Sequence, residues 1–364
     1  MRFIGKEEIE DIAVGAALLG TGGGGDPHIG KLMALQAVEE NGPIKLLSID
    51  EIGDGDLVVP TGMMGAPTVM VEKAPSGAEA LTTFKTLESY LGEKIVATIP
   101  IEAGGINSML PLALAATLKL PVVDVDGMGR AFPELQMTTF YLDGVSATPL
   151  VIADEKGNAS LLNTIDNMWA ERIARNATIQ MGGSVMMAIY PMRGKNLKES
   201  GIHNILQLEE EIGRSIRLAK AEGYDPIGKV LELTNGFELF QGKVTDINRK
   251  TETGFTRGMA TIEGLAGYKG EALELRFQNE HLIAKTKDRL LCVTPDLIAV
   301  LDAETGLPIT TEGLRYGARC VIIGMPCDPK WRTEKGIETC GPGYFGYDVD
   351  YVPVEQLMTE GAGK

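Results

Sequence analysis

The sequence predicts an α/β fold, with an N-terminal, mostly parallel α/β domain and a C-terminal domain that is β-rich. Three observations support this prediction. Helical and extended patterns alternate over the first half of the chain, as they do when crossover helices cover a parallel sheet. From about residue 236 the pattern changes to short runs of alternating polarity. The 364 residues, 44% of them hydrophobic, suffice for two domains, and we place the boundary between residues 168 and 169.

The first predicted element is an amphipathic helix at residues 6–19. Acidic residues occupy its first turn, and Ile9, Ile12 and Ala16 recur at helical spacing. Periodicity, length and Gly/Pro punctuation predict the elements that follow. These are helices at 29–40, 76–91, 106–120, 134–141, 163–181 and 205–221, strands at 45–49, 57–61, 94–101, 122–126, 150–154 and 185–190, and a loop at 62–67.

The last third of the chain contains six runs that alternate between apolar and polar residues. Turn residues separate them, so we predict six strands in a largely antiparallel arrangement. The runs lie at 237–250, 254–264, 272–285, 289–295, 297–302 and 319–325.

The charge of the chain excludes several classes of partner. Fifty acidic side chains against 34 basic ones give a formal net charge of −16, which repels phosphate backbones and anionic lipids. No apolar run approaches the roughly 18 residues that a membrane helix needs, and the N-terminus is too charged for a signal peptide. We therefore expect a cytoplasmic protein that binds a small molecule and neither nucleic acid nor membranes.

All of the cysteines lie in the last quarter of the chain, and no pair has C-x-x-C spacing. We interpret them as reduced thiols that behave as small hydrophobic residues, with a metal or nucleophile role as the alternative. They are Cys292, Cys320, Cys327 and Cys340.

A glycine-rich loop at residues 20–28, GTGGGGDPH, follows the first helix. Its letters fit G-x-G-x-x-G, but a dinucleotide fingerprint must follow a strand, and no G-K-[S/T] is present for a P-loop. We therefore expect no nucleotide cofactor. The alternatives are a helix C-cap and a functional loop that offers backbone N–H groups to a carbonyl or carboxylate. The candidate binding residues are Gly22, Gly23, Gly24 and Gly25.

Acidic residues follow two predicted strands, at the point where each strand ends. Glu102 begins the junction EAGGINS, and Asp124 and Asp126 share one parity in DVDGMGR. Because open α/β sheets bind ligands at the carboxyl ends of their strands, these acids could converge with Asn107 and Arg130. Clustered carboxyls form acid–base pairs or bind a divalent cation, whereas the alternative is that they cap the following helices.

His28, next to the glycine loop, is one of three histidines. It is a candidate base or metal ligand, or else a surface residue. With Asp124 and Asp126 it forms the candidate metal set, in which a divalent ion would activate water. We interpret His203 and His281 as structural, although either could complete a site between the domains.

Four long motifs stand out in the sequence. They are LGTGGGGDP at 19–27, IEAGGINS at 101–108, DVDGMGRAFPELQM at 124–137 and TGLPITTEGLRYGARCVIIGMPCDPKWRT at 305–333. Together they resemble the S-methyl thiohydantoin desulfurase domain family, which is associated with hydantoinase-type proteins. This resemblance implies an N-terminal α/β domain and a C-terminal domain with a β-rich, swivelling module. It also implies hydrolytic removal of methanethiol from an S-methylated thiohydantoin, with other cyclic amides as further substrates.

For such a hydrolase we predict Asp126 or Asp124 as the general base and Glu102 as its acid partner or as a ligand. Asn107 and Arg130 would position the substrate. The second hypothesis is a non-catalytic, ligand-binding or accessory subunit of a hydantoinase-type complex. A nucleotide-dependent enzyme is a weaker third. A homo-oligomer or a hydantoinase-type partner fits either of the first two.

Overall fold

A nine-stranded sheet and a seven-stranded sheet organise the protein in the computed structural model, which describes residues 2–65, 69, 73 and 75–361. The first sheet belongs to an α/β layer structure and the second is antiparallel throughout, so the predicted fold class is confirmed.

The first sheet has a parallel centre and antiparallel flanks. Its strands are β1 (Arg2–Ile4), β2 (Ile44–Leu47), β3 (Leu57–Gly65), β4 (Ala97–Pro100), β5 (Val122–Val123), β7 (Leu150–Ala153), β8 (Ala159–Leu162), β9 (Ser184–Ala188) and β10 (Met192–Arg193). The order is β1-β2-β5-β4-β3-β9-β7-β8, and β10 also pairs with β3. Only the pairs among β2, β5, β4 and β3 are parallel within the described residues, so the sheet is more mixed than predicted.

Most helices cover the first sheet, α11 packs against the second, and α1 and α8 pack with their backbones in contact. They are α1 (Lys6–Leu19), α2 (Pro27–Asn41), α3 (Ala78–Leu91), α4 (Gly105–Leu118), α5 (Thr139–Leu142), α6 (Asn167–Gln180), α7 (Gly194–Ser200), α8 (Ile205–Glu222), α9 (Pro226–Thr234), α10 (Glu334–Cys340) and α11 (Val354–Gly361). A Cβ atom on Gly15 of α1 would lie 2.0 Å from the carbonyl oxygen of Glu209 in α8. Glycine is therefore required at this crossing.

The second sheet contains one strand more than the six predicted. Its members are β12 (Phe237–Glu252), β13 (Phe255–Gly264), β14 (Ala272–Gln278), β15 (Glu280–Lys285), β16 (Leu290–Val293), β17 (Leu297–Asp302) and β18 (Arg319–Met325). They follow the order β16-β15-β14-β13-β12-β18-β17. The predicted run at 272–285 divides at Asn279, which has a φ of 58° and turns the chain into a new antiparallel strand.

The predicted helix at 134–141 was wrong for most of its length, because tertiary hydrogen bonds hold the chain in turns. The Leu135 N–H donates to Glu171 (2.9 Å), and the Pro133 carbonyl accepts from Arg175 (2.8 Å). Only α5, Thr139–Leu142, is helical there. The predicted loop at 62–67 was also wrong up to Gly65, where β3 still pairs with β9. Residues 66 and 67 lie outside the described residues.

The predicted strand at 122–126 is interrupted at Asp124. The segment before it, β5, belongs to the first sheet, whereas β6 (Val125–Asp126) pairs with β11 (Ile202–His203) in a two-stranded ladder. The two aspartates consequently meet different neighbours.

The two sheets meet through buried apolar side chains that run from Ile4 in β1 to Met325 in β18. Strands β9 and β10, which follow residue 168, belong to the first sheet, and the second sheet begins at Phe237. The boundary at 168/169 remains a prediction. All cysteines are free and buried. Among the described residues, no helix has both the length and the apolar character needed to cross a bilayer.

Candidate active site

A narrow cavity of about 40 Å³ lies at the carboxyl ends of β3 and β4, where the second sheet approaches the first. This is the edge at which open α/β sheets bind ligands. Its walls come from both sheets, from the glycine loop and from the turns before α5. The lining residues are Gly24, Met63, Met64, Gly65, Ile101, Glu102, Asn107, Met128, Phe132, Pro133, Glu134, Leu135, Arg175, Met187, Asn279 and Glu280.

Glu102 enters the cavity from the end of β4. One carboxylate oxygen accepts from Asn107 Nδ2 at 2.5 Å, and the other accepts from the Phe132 N–H at 3.1 Å. Burial raises the pKa of Glu102 to about 7, although these hydrogen bonds and the charge of Arg130 favour the ionised form. Glu102 therefore changes protonation state near neutral pH, as a general base or acid requires.

Glu280 faces the same cavity from the start of β15. It is buried, and its Oε2 atom has no hydrogen-bond partner among the described residues. Burial raises its pKa well above the usual value, and repulsion from Glu102 adds to the effect, while Arg130 opposes it. The cavity thus favours the protonated form of Glu280, and an ionised Glu102 beside it favours that form further.

Sequence reasoning missed Glu280 because it treated residues 272–285 as one strand. The sequence QNEH at 278–281 could have indicated the break between two strands, because its two polar residues and the acid that follows them interrupt the alternation of apolar and polar residues. Asn279 is also a residue type that tolerates a positive φ, so the pair Asn279-Glu280 could have suggested a turn with a buried carboxyl.

Asn107, in the first turn of α4, holds Glu102 in place. Its Oδ1 atom accepts from the Met63 N–H at 2.6 Å, which leaves Nδ2 to donate to Glu102. The predicted contact between Asn107 and substrate remains a prediction, but the side chain lines the cavity.

The glycine loop reaches the cavity through Gly24. The loop is held from both sides: the Gly24 carbonyl accepts from Ile106 (2.9 Å), and the Gly22 carbonyl accepts from Thr311 (2.9 Å). Gly22, Gly24 and Gly25 have φ values of 89°, 68° and 77°. The N–H groups of Gly24 and Gly25 donate to no described residue. The Gly23 N–H instead donates to the Gly20 carbonyl at 2.8 Å, and a contact between residues 22–25 and a substrate carbonyl remains a prediction.

Gly23 explains why the loop and Glu280 lie so close together. A Cβ atom on Gly23 would lie 2.0 Å from Oε1 of Glu280. The absence of a side chain at this position therefore makes room for the carboxyl.

His281, next to Glu280, supports the loop from behind. Its N–H donates to the Thr21 carbonyl at 2.7 Å, and its Nδ1 lies 3.1 Å from the Ile298 carbonyl. Burial lowers the pKa of the imidazole to about 4, so the ring is neutral at physiological pH.

Arg130 does not line the cavity, contrary to its predicted role in positioning substrate. Its guanidinium is fully buried and donates to the Pro295 carbonyl (2.9 Å), the Asp296 carbonyl (2.8 Å) and Thr21 Oγ1 (2.9 Å). Arg130 therefore ties the glycine loop to the second sheet.

Asp124 and Asp126 also lie outside the lining of the cavity. Asp126 accepts from the N–H groups of Ala103 (2.7 Å) and Gly129 (2.8 Å). Asp124 Oδ1 accepts from Leu206 and Gln207 in the first turn of α8, so this carboxylate caps a helix, although α8 is not the helix that directly follows it, which was the alternative considered from the sequence. Of the three predicted catalytic carboxyls, only Glu102 reaches the cavity.

The candidate metal set is not brought together. His28 is exposed in the first turn of α2, whereas Asp124 and Asp126 are buried. Within residues 2–65, 69, 73 and 75–361, no group of three or more His, Cys, Asp or Glu side chains is arranged to hold a metal ion.

Comparison with known proteins supports the family expected from the motifs. The model of the S-Me-THD-like N-terminal domain matches residues 7–164, and that of the S-Me-THD-like C-terminal domain matches residues 165–354. A crystal structure of a protein from Chromobacterium violaceum superposes with a TM-score of 0.79 at 22% identity, covering 97% of this chain and 100% of that one. This likeness concerns the fold alone. A comparison with curated proteins found no significant match. Since the two family models together cover residues 7–354, the chain belongs to the S-Me-THD-like family.

Proposed function

We propose that the protein is a hydrolase that converts an S-methylated thiohydantoin and water into the hydantoin and methanethiol. The observation that carries this proposal is the pair Glu102 and Glu280, two buried carboxyls with raised pKa values that line one cavity. Membership of the S-Me-THD-like family supports the choice of substrate.

The two carboxyls supply the proton transfers that this reaction needs. Ionised Glu102 takes a proton from water as its oxygen bonds to the ring carbon that carries sulfur, and it passes that proton to the ring nitrogen of the C=N bond. Protonated Glu280 gives its proton to sulfur as the carbon–sulfur bond breaks, and it recovers a proton from the new hydroxyl as the carbonyl forms. Both carboxyls end in their starting states, and the products are the hydantoin and methanethiol.

The remaining walls suit the other parts of the substrate. Four methionines surround the cavity, and their polarisable thioethers provide an apolar contact for a methylthio group. The N–H of Gly24 can donate to a ring carbonyl or to the developing oxyanion. The methionines are Met63, Met64, Met128 and Met187.

The cavity must widen to admit the ring. About 40 Å³ is room for two or three water molecules, since each needs at least about 10–15 Å³. Because Glu102 follows a strand of the first sheet and Glu280 begins a strand of the second, a small displacement of one sheet from the other opens the space between them.

The test is methanethiol release from an S-methyl thiohydantoin by the wild-type protein, by Glu102→Gln and by Asp124→Asn. Asp124→Asn makes the same acid-to-amide change at a buried carboxyl outside the cavity. We expect turnover by the wild type, a loss of about 10²–10⁴-fold in Glu102→Gln, and near-normal turnover in Asp124→Asn.

Equal turnover by folded Glu102→Gln and wild type would exclude Glu102 from the chemistry. A wild-type protein that binds the hydantoin, releases no methanethiol and co-purifies with a second subunit would support the accessory-subunit hypothesis instead.

A further inference from the structure

A second and larger pocket lies beside the cavity, on the face of the second sheet formed by β13 and β14. This outer pocket has a volume of about 380 Å³ and opens to solvent. Glu134 lines both the cavity and the outer pocket, so the two spaces adjoin. The other residues used below are Arg257, Arg276, Phe277, Tyr344 and Tyr347.

Glu134 lies at the boundary between the outer pocket and the cavity, where it belongs to a hydrogen-bonded group of side chains. Oε2 of Glu134 accepts from the Tyr344 hydroxyl at 2.6 Å and from Gln136 Nε2 at 2.5 Å. Tyr344 is 38% exposed. A ligand that extends from one space into the other passes beside these polar side chains.

The outer pocket is positively charged in a chain whose formal net charge is −16. Arg257 is exposed, and the carboxylate that interacts with it, Glu252, is paired with Lys250. Nε of Arg276 lies 2.6 Å from Oε1 of Glu274, and Nζ of Lys285 lies 3.3 Å from the same oxygen, so two basic side chains share one carboxylate. With the negative charge of Glu134 included, these groups leave one net positive charge.

Both arginines lie beside aromatic rings, Arg276 beside Tyr347 and Arg257 beside Phe255, whose ring centroid is 6.0 Å from the Arg257 guanidinium carbon. The Arg276 guanidinium carbon lies 6.0 Å from the centroid of the Tyr347 ring. Burial raises the pKa of the Tyr347 hydroxyl, and the charges of Arg276 and Arg257 both act in the opposite direction. Together with Phe277 and Tyr344, this ring provides flat apolar faces beside the two charges, so the pocket offers contacts for a carbon chain that ends in an anion.

We propose that the outer pocket is the binding site for a substituent on the hydantoin-type ring, and that it selects a substituent bearing a carboxylate. This inference rests on the proposed function, because it takes the ring to lie in the cavity. The carboxylate accepts hydrogen bonds from Arg257 and Arg276, and the connecting carbons lie against Tyr347.

The experiment measures binding of two product-like probes, hydantoin-5-acetic acid and 5-methylhydantoin, by isothermal titration calorimetry. The proteins are the full-length wild type, Arg257→Gln, Arg276→Gln and, as a matched control, Arg289→Gln. Arg289 is exposed on the same sheet and lines neither space. Arg257→Gln changes an exposed side chain and leaves the core intact.

We expect the wild type to bind hydantoin-5-acetic acid at least roughly 10-fold more tightly than 5-methylhydantoin. This is the difference in affinity expected from one hydrogen bond to a charged group. Each of Arg257→Gln and Arg276→Gln should weaken binding of the acid by roughly 10-fold and leave the methyl compound unchanged. Arg289→Gln should match the wild type.

Equal affinities for the two probes, no binding of either, or an unchanged preference in both arginine variants would overturn the inference. So would a preference for 5-benzylhydantoin over the acid, which would indicate an aromatic substituent. Methanethiol release from an unsubstituted S-methyl thiohydantoin tests the proposed function separately. Arginine-dependent binding of the acid without any methanethiol release would refute the proposed reaction and leave the pocket assignment standing.

Discussion

Two pairs of buried carboxyls lie near the same edge of the first sheet, and they differ in how their oxygens are satisfied. Asp124 and Asp126 accept short hydrogen bonds from backbone N–H groups that the fold itself directs at them. Glu102 and Glu280 face a cavity, and one oxygen of Glu280 has no described partner. Burial raises the pKa of all four groups. A raised pKa therefore does not distinguish a structural carboxyl from a reactive one, and among these four groups only Glu102 and Glu280 line a cavity in which a ligand could meet them.

The largest expected difference is in catalysis. Glu280→Gln removes the proton donor, so methanethiol release should fall by about 10²–10⁴-fold, and because glutamine is neutral the folded protein should lose no stability at pH 7. Paired measurements of kcat/KM and thermal unfolding check this prediction. Unchanged kcat/KM in a folded variant would remove Glu280 from the reaction.

The next difference is in the pH dependence of stability. The pKa of Glu102 rises from 4.5 to about 7 on folding, so the folded state binds more protons between these values. The free energy of unfolding should therefore decrease as the pH rises through this window, by up to about 3 kcal/mol for this group. Glu102→Gln should lack this component, which denaturant unfolding at pH 5 and pH 8 would measure.

The exposed Glu338→Gln is the matched control for this measurement, because it makes the same chemical change on the surface of α10. Glu280 and Arg130 are present in every protein compared. The difference in the pH dependence of unfolding between the wild type and Glu102→Gln therefore reports the titration of Glu102. Parallel pH profiles for wild type and Glu102→Gln would contradict a raised pKa.

Asp126→Asn should behave in the opposite way to Glu280→Gln, because we expect it to lower the stability of the fold and to leave methanethiol release unchanged. Asparagine can present its oxygen where Oδ2 accepts from Ala103 and Gly129, but its amide nitrogen then stands where Oδ1 accepts from the Gly129 N–H at 3.0 Å, so two donors face each other. We expect the free energy of unfolding to fall by about 1–3 kcal/mol. Urea unfolding at pH 7 measures this loss, and normal kcat/KM for the folded fraction would separate Asp126 from the chemistry. Lost turnover at full stability would restore Asp126 as a catalytic candidate.

Asp124→Asn should have the smallest effect. Both backbone donors from α8 go to Oδ1, which asparagine can also present. The free energy of unfolding should change by less than about 1 kcal/mol, because asparagine is as good an N-cap as aspartate. A larger loss in urea unfolding would show that the negative charge itself matters there.

Local patterns predicted most of the fold. Helix α1 was predicted at its observed bounds, because its acids, apolar spacing and terminal glycine all indicate the same structure. The helix predicted at 134–141 was wrong because contacts with Glu171 and Arg175, far along the chain, decide that segment. The second sheet was predicted in outline but not at Asn279, where one positive φ divides a run into two strands.

The candidate site was harder to predict, because its two carboxyls are 178 positions apart in the sequence. Glu102 was predicted from its place after a strand, and it lies in the cavity. Glu280 comes from the second sheet, and the approach of the two sheets is set by tertiary packing that no local pattern contains. Asp124 and Asp126 satisfied the same strand-end rule as Glu102, but α8 and the turn at Gly129 supply their partners instead.

Hydrogen bonds from Arg130 connect the glycine loop to the second sheet, and this connection affects the acidity of Glu102 and Glu280. The acid strength of each carboxyl depends on its distance from the other and from this guanidinium, and these distances are fixed only by how the sheets are aligned. Substitutions at the interface, even those that touch no ligand, should therefore first appear as a displaced pH optimum. In this protein the acidity of Glu102 and Glu280 should therefore report the alignment of the two sheets.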